Sequence, residues 1–451
     1  MPATAQPDFE ATLTAKLTRR LVPFLFLLYI VAYLDRINVG FAALQMQGQL
    51  HLSDEVYGLG AGLFFAGYFI FQLPSNLLLE RVGARRWLAA LMVAWGLVSS
   101  SMIFVHTAHG FYALRFLLGV AEAGFFPGVI LYLKNWFPAG ARARTVAWFM
   151  TAGPLSGVVG GPISGALLGL HHAGLRGWQW MFVMEGIPAI VLGGVAAWYL
   201  TDRPHEAEWL SQEQRSWLLA TLQREHEETA AVSRTNLWAA FTHPGIWLLV
   251  LVYFGLNTVS YGISMWLPNL IRSLSGVSNF VIGLLSSIPY IAAAIAMVLV
   301  GMHSDRSGER RWHTALPAFA GAAGLLLAAQ STSVAPMIAG ITVAVLGVFA
   351  MMGPFWAMPT SLLTGTAAAA GIALINSVGN LGGFFGPYII GLVRGRTGEF
   401  KDGLLLVGAA LAVGGALALL VRLRAQASVS GEAAAATHLG AVNAHRQAPS
   451  E

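Results

Sequence analysis

Apolar runs of about 20 residues recur from one end of this sequence to the other, and nothing else in it constrains the fold as strongly. A hydrocarbon core about 30 Å thick needs about that many residues to be crossed as a helix, the open-chain form whose backbone satisfies its own hydrogen bonds there. Twelve such runs occur, the first over residues 21–43 and the last over residues 401–423. Of 451 residues, 56% are hydrophobic and 10% charged, where soluble domains carry about 25% charged. The pattern predicts an all-α membrane protein of twelve transmembrane helices. The first run is too long for a signal-peptide core and lacks a cleavage site, so it is kept as the first helix.

Lys and Arg are retained on the cytoplasmic side of a membrane. With the N-terminus inside, the cytoplasmic segments hold 19 of the 26, and the outer loops hold Arg176, Arg272, Arg394, Arg396 and Lys401. The other two, Arg36 and Arg115, lie inside spans. The net charge of +5 therefore reflects topology and carries no sign of a nucleic-acid partner. With no cysteine in the chain, disulfides and thiolate metal sites are excluded.

The longest polar stretch between spans covers residues 201–242, with Asp202-Arg203-Pro204 as a breaker. Within it Ser211 starts a surface helix, with Gln214 at capping-box spacing. The chain thus divides into a six-span bundle over 1–200, a cytoplasmic linker over 201–242, a second six-span bundle over 243–424, and a tail over 425–451 whose composition predicts disorder. The two bundles repeat. Glu80-Arg81-Val82-Gly83-Ala84-Arg85-Arg86 follows the second span, and Asp305-Arg306-Ser307-Gly308-Glu309-Arg310-Arg311 follows the eighth, |i−j| = 225 as for any pair such as 36 and 261. A Gly-rich run from Gly153 to Pro162 in the fifth span has a counterpart from Gly379 to Pro387 in the eleventh.

Two parallel six-helix repeats joined by a cytoplasmic loop allow two bundles to rock around a midplane site. The layout and the two acid-Arg-x-Gly-x-Arg-Arg loops resemble the major facilitator superfamily over essentially the whole chain, which implies that fold. The first loop departs from the superfamily pattern, with Asn76 where Gly is usual and Glu80 for Asp. The resemblance implies that Glu80, Arg81, Arg85, Asp305, Arg306 and Arg310 form charge networks that latch the halves in one state.

Charges inside the membrane do not repeat. Ser260 and Tyr261 stand opposite Asp35 and Arg36, and Ala350 stands opposite Glu122. The ionisable residues gather in the first half, and each costs several kcal/mol unless paired or wet. Asp35 and Arg36 are adjacent and point about 100° apart on a helix, so each needs a partner from another helix. Arg115 and Glu122 share a stripe of the fourth span about 10 Å apart along the axis. These two acids and two bases sum to zero. A static tetrad that only holds helices together is the plainer reading, but a buried ion pair is often no better than a hydrophobic substitute. Pairs that open and close make more sense of the arrangement.

The stretches Tyr33 to Met46, Tyr68-x-x-x-Gln72-x-Pro74, Arg115 to Gly128 and Gly177 to Ala189 resemble the anion:cation symporter family of that superfamily, which includes bacterial carriers of sugar acids, tartrate, phthalate and hydroxyphenylacetate. The resemblance implies that Arg36 anchors a substrate carboxylate, that Asp35 and Glu122 are proton-linked, that Arg115 is the switching partner of one acid, and that Tyr33 and Tyr68 hydrogen-bond substrate. Pro154 stands where sugar-acid carriers use Gln, which weakens the case for a heavily hydroxylated sugar acid. Gln72, Asn257, Tyr261, Asn376, Asn380 and Trp356 are further candidates for lining the cavity, as are Asn38, Gln45 and Ser264. Glu185 is placed near the outer surface or against a neighbouring helix.

The expected function is proton-coupled uptake of an organic carboxylate by alternating access, with no cofactor, by a monomer in the bacterial inner membrane with both termini cytoplasmic. Protonation of Asp35 and Glu122 releases Arg36 and Arg115 from internal pairing, and the carboxylate then binds Arg36. An organic-anion antiporter or exporter is the alternative, since the Gly-Pro run of the fifth span also suits antiporters. An enzyme lacks support, with no metal cluster, nucleophile-base pair or nucleotide loop. His171-His172 reads as a solvated turn.

Overall fold

A computed structural model describes residues 6–232, 238–363 and 365–423. The tail expected to be disordered, 425–451, lies outside the described residues. Among those described, twelve helices are long and apolar enough to cross a membrane. The first six are α1 (Asp8–Gln49), α2 (Asp54–Val82), α3 (Ala84–Phe104), α4 (Ala108–Trp136), α5 (Ala139–Leu167) and α6 (Gly177–Tyr199). The second six are α7 (Pro244–Leu274), α8 (Asn279–Ser307), α9 (Arg311–Ala329), α10 (Val334–Leu362), α11 (Gly365–Thr397) and α12 (Lys401–Leu420).

α1 starts well before the apolar run because its first turns carry their own stripe. Leu13, Leu17 and Leu21 recur at helical spacing and are buried, and Phe9 meets Trp217 edge-on at 5.9 Å. Trp217 belongs to the connecting helix Gln212–Val232. That helix opens on a capping box, in which Ser211 Oγ accepts from Gln214 N at 3.1 Å and Gln214 Oε1 accepts from Ser211 N at 3.2 Å. Lys16 and an Arg142–Glu225 ion pair at 2.9 Å hold it against the first six helices.

Several spans break near mid-depth, and proline accounts for three of the breaks. A proline removes the bond to the carbonyl four residues back and its ring crowds that carbonyl. Pro127 therefore interrupts α4 after Glu122, Pro154 interrupts α5 after Met150, and Pro354 interrupts α10 after Ala350. α11 is interrupted at Asn380, whereas α1 stays helical through Asn38, two positions past Arg36, with Asn38 N donating to the Leu34 carbonyl at 2.9 Å. Irregular backbone is tolerated at membrane depth where it is buried in protein or lines a cavity. The break in α4 places Glu122 at such a point.

Two seams join the halves. Along α5 and α8 the stripe Gly157, Gly161 and Gly165 meets Tyr290, Gly283 and Asn279 so closely that a Cβ at any of the three would overlap its neighbour. Along α2 and α11, Gly58 and Gly62 lie against Pro387 and Phe384 in the same way. The Gly-Pro run of α5 is thus helix packing across the halves. At the end of the bundle where α2 begins and α11 finishes, a polar chain crosses between halves. Arg394 Nη1 donates to Asp54 Oδ1 at 2.9 Å, Gln47 Nε2 donates to the same oxygen at 3.0 Å, and Asn269 Nδ2 donates to Gln47 Oε1 at 3.2 Å. Tyr57 adds a bond to the Met265 carbonyl at 2.8 Å.

The two repeated loops lie at the opposite end, and their ion pairs do not cross between the halves. Each turns on its glycine, Gly83 at φ 93° and Gly308 at φ 68°, a conformation that other residues adopt at a cost. Arg85 pairs with Asp202 at 3.7 Å, and Arg310 pairs with Asp305 at 2.6 Å. Glu80, Arg81 and Arg306 are exposed. Among the described residues, the ion pair that crosses between the halves is Asp54–Arg394, at the other end. Glu309 closes the start of α9 by accepting from Trp312 N and His313 N, with the His313 ring at 3.0 Å. Partial burial pushes its carboxyl up, but these bonds outweigh it and hold the group below its ordinary value.

Candidate substrate and coupling site

Beside the break in α4, Arg36 of α1 reaches toward the junction of the halves. Its Nη2 and Nε donate to Glu122 Oε2 at 2.8 and 3.2 Å, and its Nη1 donates to Tyr261 Oη of α7 at 3.2 Å. Arg36 and Tyr261 are separated by 225 positions, the same displacement as the two loops, so equivalent points of the two repeats touch across the centre. The guanidinium also lies 5.2 Å from the Phe64 ring and 5.4 Å from the Tyr68 ring, both on α2. Arg36 is 8% exposed and Glu122 is fully buried. Glu122 Oε1 has no partner, which leaves it an acceptor without a donor.

The other expected pairing is absent in this conformation. Arg115 is fully buried, yet no carboxylate lies within 4.0 Å of it among the described residues. It makes one bond, Nη2 to the Ala61 carbonyl at 3.4 Å, and packs 5.2 Å from the same Phe64 ring. Gly119 makes this possible, since a Cβ there would overlap the Phe64 carbonyl and force α2 away from α4. Asp35 turns into the first bundle instead. Its Oδ1 accepts from Asn38 Nδ2 at 3.1 Å and from the Ser99 hydroxyl of α3, while Oδ2 has no partner. Adjacent helix positions diverge, so Arg36 faces the junction and Asp35 faces its own half.

Around the arginine, Tyr33 is buried against Tyr29 with ring centres 6.2 Å apart, and Tyr29 stacks on Phe149. The amides form a separate group on the second half. Asn257 Nδ2 donates to Asn380 Oδ1 at 3.4 Å and to the Gly379 carbonyl at 3.2 Å, and Asn380 Nδ2 donates to Asn376 Oδ1 at 3.2 Å. Gln72 Oε1 accepts from Ser377 Oγ of α11 at 3.0 Å, a bond between halves. Trp356 packs edge-on to Tyr253 at 5.0 Å in an aromatic cluster with Phe355. Ser264 is occupied by Tyr290 Oη at 2.7 Å.

One candidate falls elsewhere. Gln45 donates to the Leu168 carbonyl and accepts from Trp178 N, so it ties α1 to the α5–α6 loop instead of lining a cavity. Glu185 is 6% exposed and accepts from Ser164 Oγ of the neighbouring helix α5 at 2.7 Å, the second of its two expected placements. Ser99 and Phe64 are the residues that sequence reasoning passed over. The run Ser99-Ser100-Ser101 inside an apolar span was the available signal for the first; an aromatic such as Phe64 carries none.

A twelve-helix bundle with repeated halves and a buried charged centre between them is the architecture of a membrane transporter. Residues 25–387 match the model of the Major Facilitator Superfamily, and the chain belongs to that superfamily. It is 49% identical over 415 residues to an Agrobacterium vitis protein named "Putative tartrate transporter", covering 92% of each chain. It is 41% identical over 415 residues to the "Quinolone resistance transporter" of Acinetobacter baumannii, covering 92% of this chain and 96% of that one. Among solved structures it resembles a bacterial homolog of the human lysosomal transporter Spinster in an inward-facing, unoccupied conformation, with a TM-score of 0.74 at 16% identity over 91% of this chain and 97% of that chain. The protein is therefore a multi-pass membrane transporter and not an enzyme.

Proposed function

We propose that the protein takes up an organic carboxylate, of which tartrate is the first to test, together with protons. The observation that carries this reading is the buried Arg36–Glu122 pair at the junction of the halves, with Tyr261 of the other half as the third member. A ligand carboxylate fits the same bidentate guanidinium, so it competes with Glu122 for Arg36. Protonation of Glu122 removes the competitor and frees Arg36 for the anion. Proton loss then re-forms the pair and expels the ligand. Anion entry and proton entry are thereby linked through a single guanidinium. Tyr33 and Tyr68 are placed to bond the ligand, and the amides Asn257, Asn376 and Asn380 offer donors and acceptors to its hydroxyls.

Supporting the substrate class is the Agrobacterium vitis relative. The distribution of Lys and Arg supports cytoplasmic termini in a bacterial inner membrane, so the end carrying Asp54 and Arg394 faces outward and is closed in this conformation. The test is uptake of labelled tartrate into proteoliposomes, where an inward proton gradient should drive accumulation above equilibrium. Equal filling with and without the gradient would sink the coupling. The Acinetobacter relative favours a second reading, proton-driven export of a drug-like anion. It predicts that the same gradient leaves tartrate unmoved while quinolone is extruded from loaded vesicles.

A further inference from the structure

The charges buried in the first bundle do not balance once Glu185 is counted. Asp35, Glu122 and Glu185 are three acids, whereas Arg36 and Arg115 are two bases, and all five are at most 8% exposed. Arg36 and Glu122 neutralise each other at 2.8 Å. Of the remaining three, none is paired: among the described residues no ion pair within 4.0 Å joins Asp35, Glu185 or Arg115 to a group of opposite charge. No Lys, Arg or His lies within 4.0 Å of Glu185 among the described residues. Among the described residues, the side chain bonded to Glu185 is a neutral hydroxyl. Ser164 of α5 donates to Glu185 Oε1 at 2.7 Å, and nearby Asn38 of α1 donates to Asp35 Oδ1 at 3.1 Å and Ser99 of α3 bonds the same oxygen.

The cluster is also short of donors. Asp35 Oδ2, Asn38 Oδ1 and Glu185 Oε2 are buried oxygens without partners. A proton on a carboxyl turns an acceptor into a donor and removes the surplus negative charge in the same step. An uncompensated carboxylate in such surroundings is too costly to persist, and a protonated one is not.

We propose that Glu185 is a third proton-binding acid of the site: it holds the proton that leaves the five-residue cluster neutral, and it must hold that proton for the halves to cycle. The step is a simple protonation, in which the Glu185 carboxylate takes a proton from water on one side of the membrane and returns it unchanged. This deepens the reading above and rests on it only for the transport assay.

Glu185→Gln keeps the shape and donor capacity of the protonated acid and cannot ionise. The purified wild-type protein at neutral pH should show the infrared carbonyl band of a protonated carboxylic acid, and the variant should lack it, while Glu122→Gln retains it. In proteoliposomes, tartrate exchange by Glu185→Gln should persist near wild-type rate at neutral pH. Its fall at alkaline pH should be shallower by one proton, about tenfold less loss per pH unit. An infrared band that survives in Glu185→Gln, or an alkaline slope identical to wild type, overturns the proposal. Loss of exchange at every pH in a variant that still purifies as a folded monodisperse protein overturns it too, since the ionised form would then be the working one. If the wild type exchanges no tartrate, the uptake reading fails, and the infrared comparison still decides the role of Glu185.

Discussion

The substitution Asp54→Asn tests how the halves are held together at the closed end. Asp54 and Arg394 are paired at 2.9 Å with side chains 24% and 23% exposed, and the guanidinium also lies 4.2 Å from the Phe400 ring. A charge-assisted bond of this kind is worth about 1.5–3 kcal/mol when buried and about 0.2–1 kcal/mol when exposed. A pair three-quarters buried falls between, at about 1–2 kcal/mol. Because the bond joins opposite halves, it exists only while this end is closed, and its loss shifts the equilibrium by its full worth. One to two kcal/mol corresponds to a factor of about 5–30 in the open population. The chain contains no cysteine, so a single introduced thiol reports without background. Ser287→Cys is nearly isosteric, is buried in the α5–α8 seam, and lies where Ser287 Oγ bonds the Val158 carbonyl at 2.8 Å. Its rate of modification by a membrane-impermeant maleimide should rise by about that factor when Asp54→Asn is added, and the swap Asp54→Arg with Arg394→Asp should bring it partway back. An unchanged rate, or an equal rise with the control Asp402→Asn, would refute the latch.

Three further outcomes follow from the site and the loops. Arg36→Lys removes the fork that serves Glu122 and Tyr261 together, and tartrate affinity by calorimetry should fall by about 2 kcal/mol, roughly thirtyfold. Asp35→Asn should abolish gradient-driven accumulation while exchange continues, and robust accumulation by that variant would remove Asp35 from the coupling. Glu309→Gln should cost about 1 kcal/mol of stability at neutral pH, a modest figure because the side chain is partly solvated. Since the folded carboxyl is held below its ordinary value, the wild-type advantage is complete above about pH 4.3 and lost as pH falls further. Thermal unfolding of both proteins at neutral and acidic pH should therefore converge at the acidic end.

The spans, the repeat and the charged residues were legible because the membrane makes each of them conspicuous. A run of 20 apolar residues has few other uses, and a carboxylate within one needs an explanation. What could not be read was direction. Asp35 and Arg36 diverge as adjacent helix positions must, but which of them enters its own bundle and which meets the junction depends on how α1 is rotated in the packed structure. The expected pairing of Arg115 with an acid assumed that both would point to the centre. The Asp54–Arg394 chain was illegible for the opposite reason: Gln47, Asp54, Asn269 and Arg394 each sit near a span end, where polar residues are ordinary, and only tertiary structure brings them together. The acid-Arg-x-Gly-x-Arg-Arg loops lie at the other end, where in this conformation Arg85 meets Asp202 of the linker and Arg310 meets Asp305.

The contact between Arg36 and Tyr261 explains why charge can be confined to one half without stranding the other. A duplicated chain begins with equivalent residues meeting at its pseudo-twofold centre, and two arginines there would repel each other while two acids would need two protons. A base on one side and a phenol on the other avoids both outcomes, since Tyr261 accepts from Arg36 without demanding a counterion. The first half then carries the charges that change partner, and the second contributes the neutral Asn257–Asn380–Asn376 group, whose bonds survive whichever acid is protonated. On the proposed reading an anion seated on Arg36 would be sensed by both halves through Arg36 and Tyr261, while only the first half would have to alter its protonation.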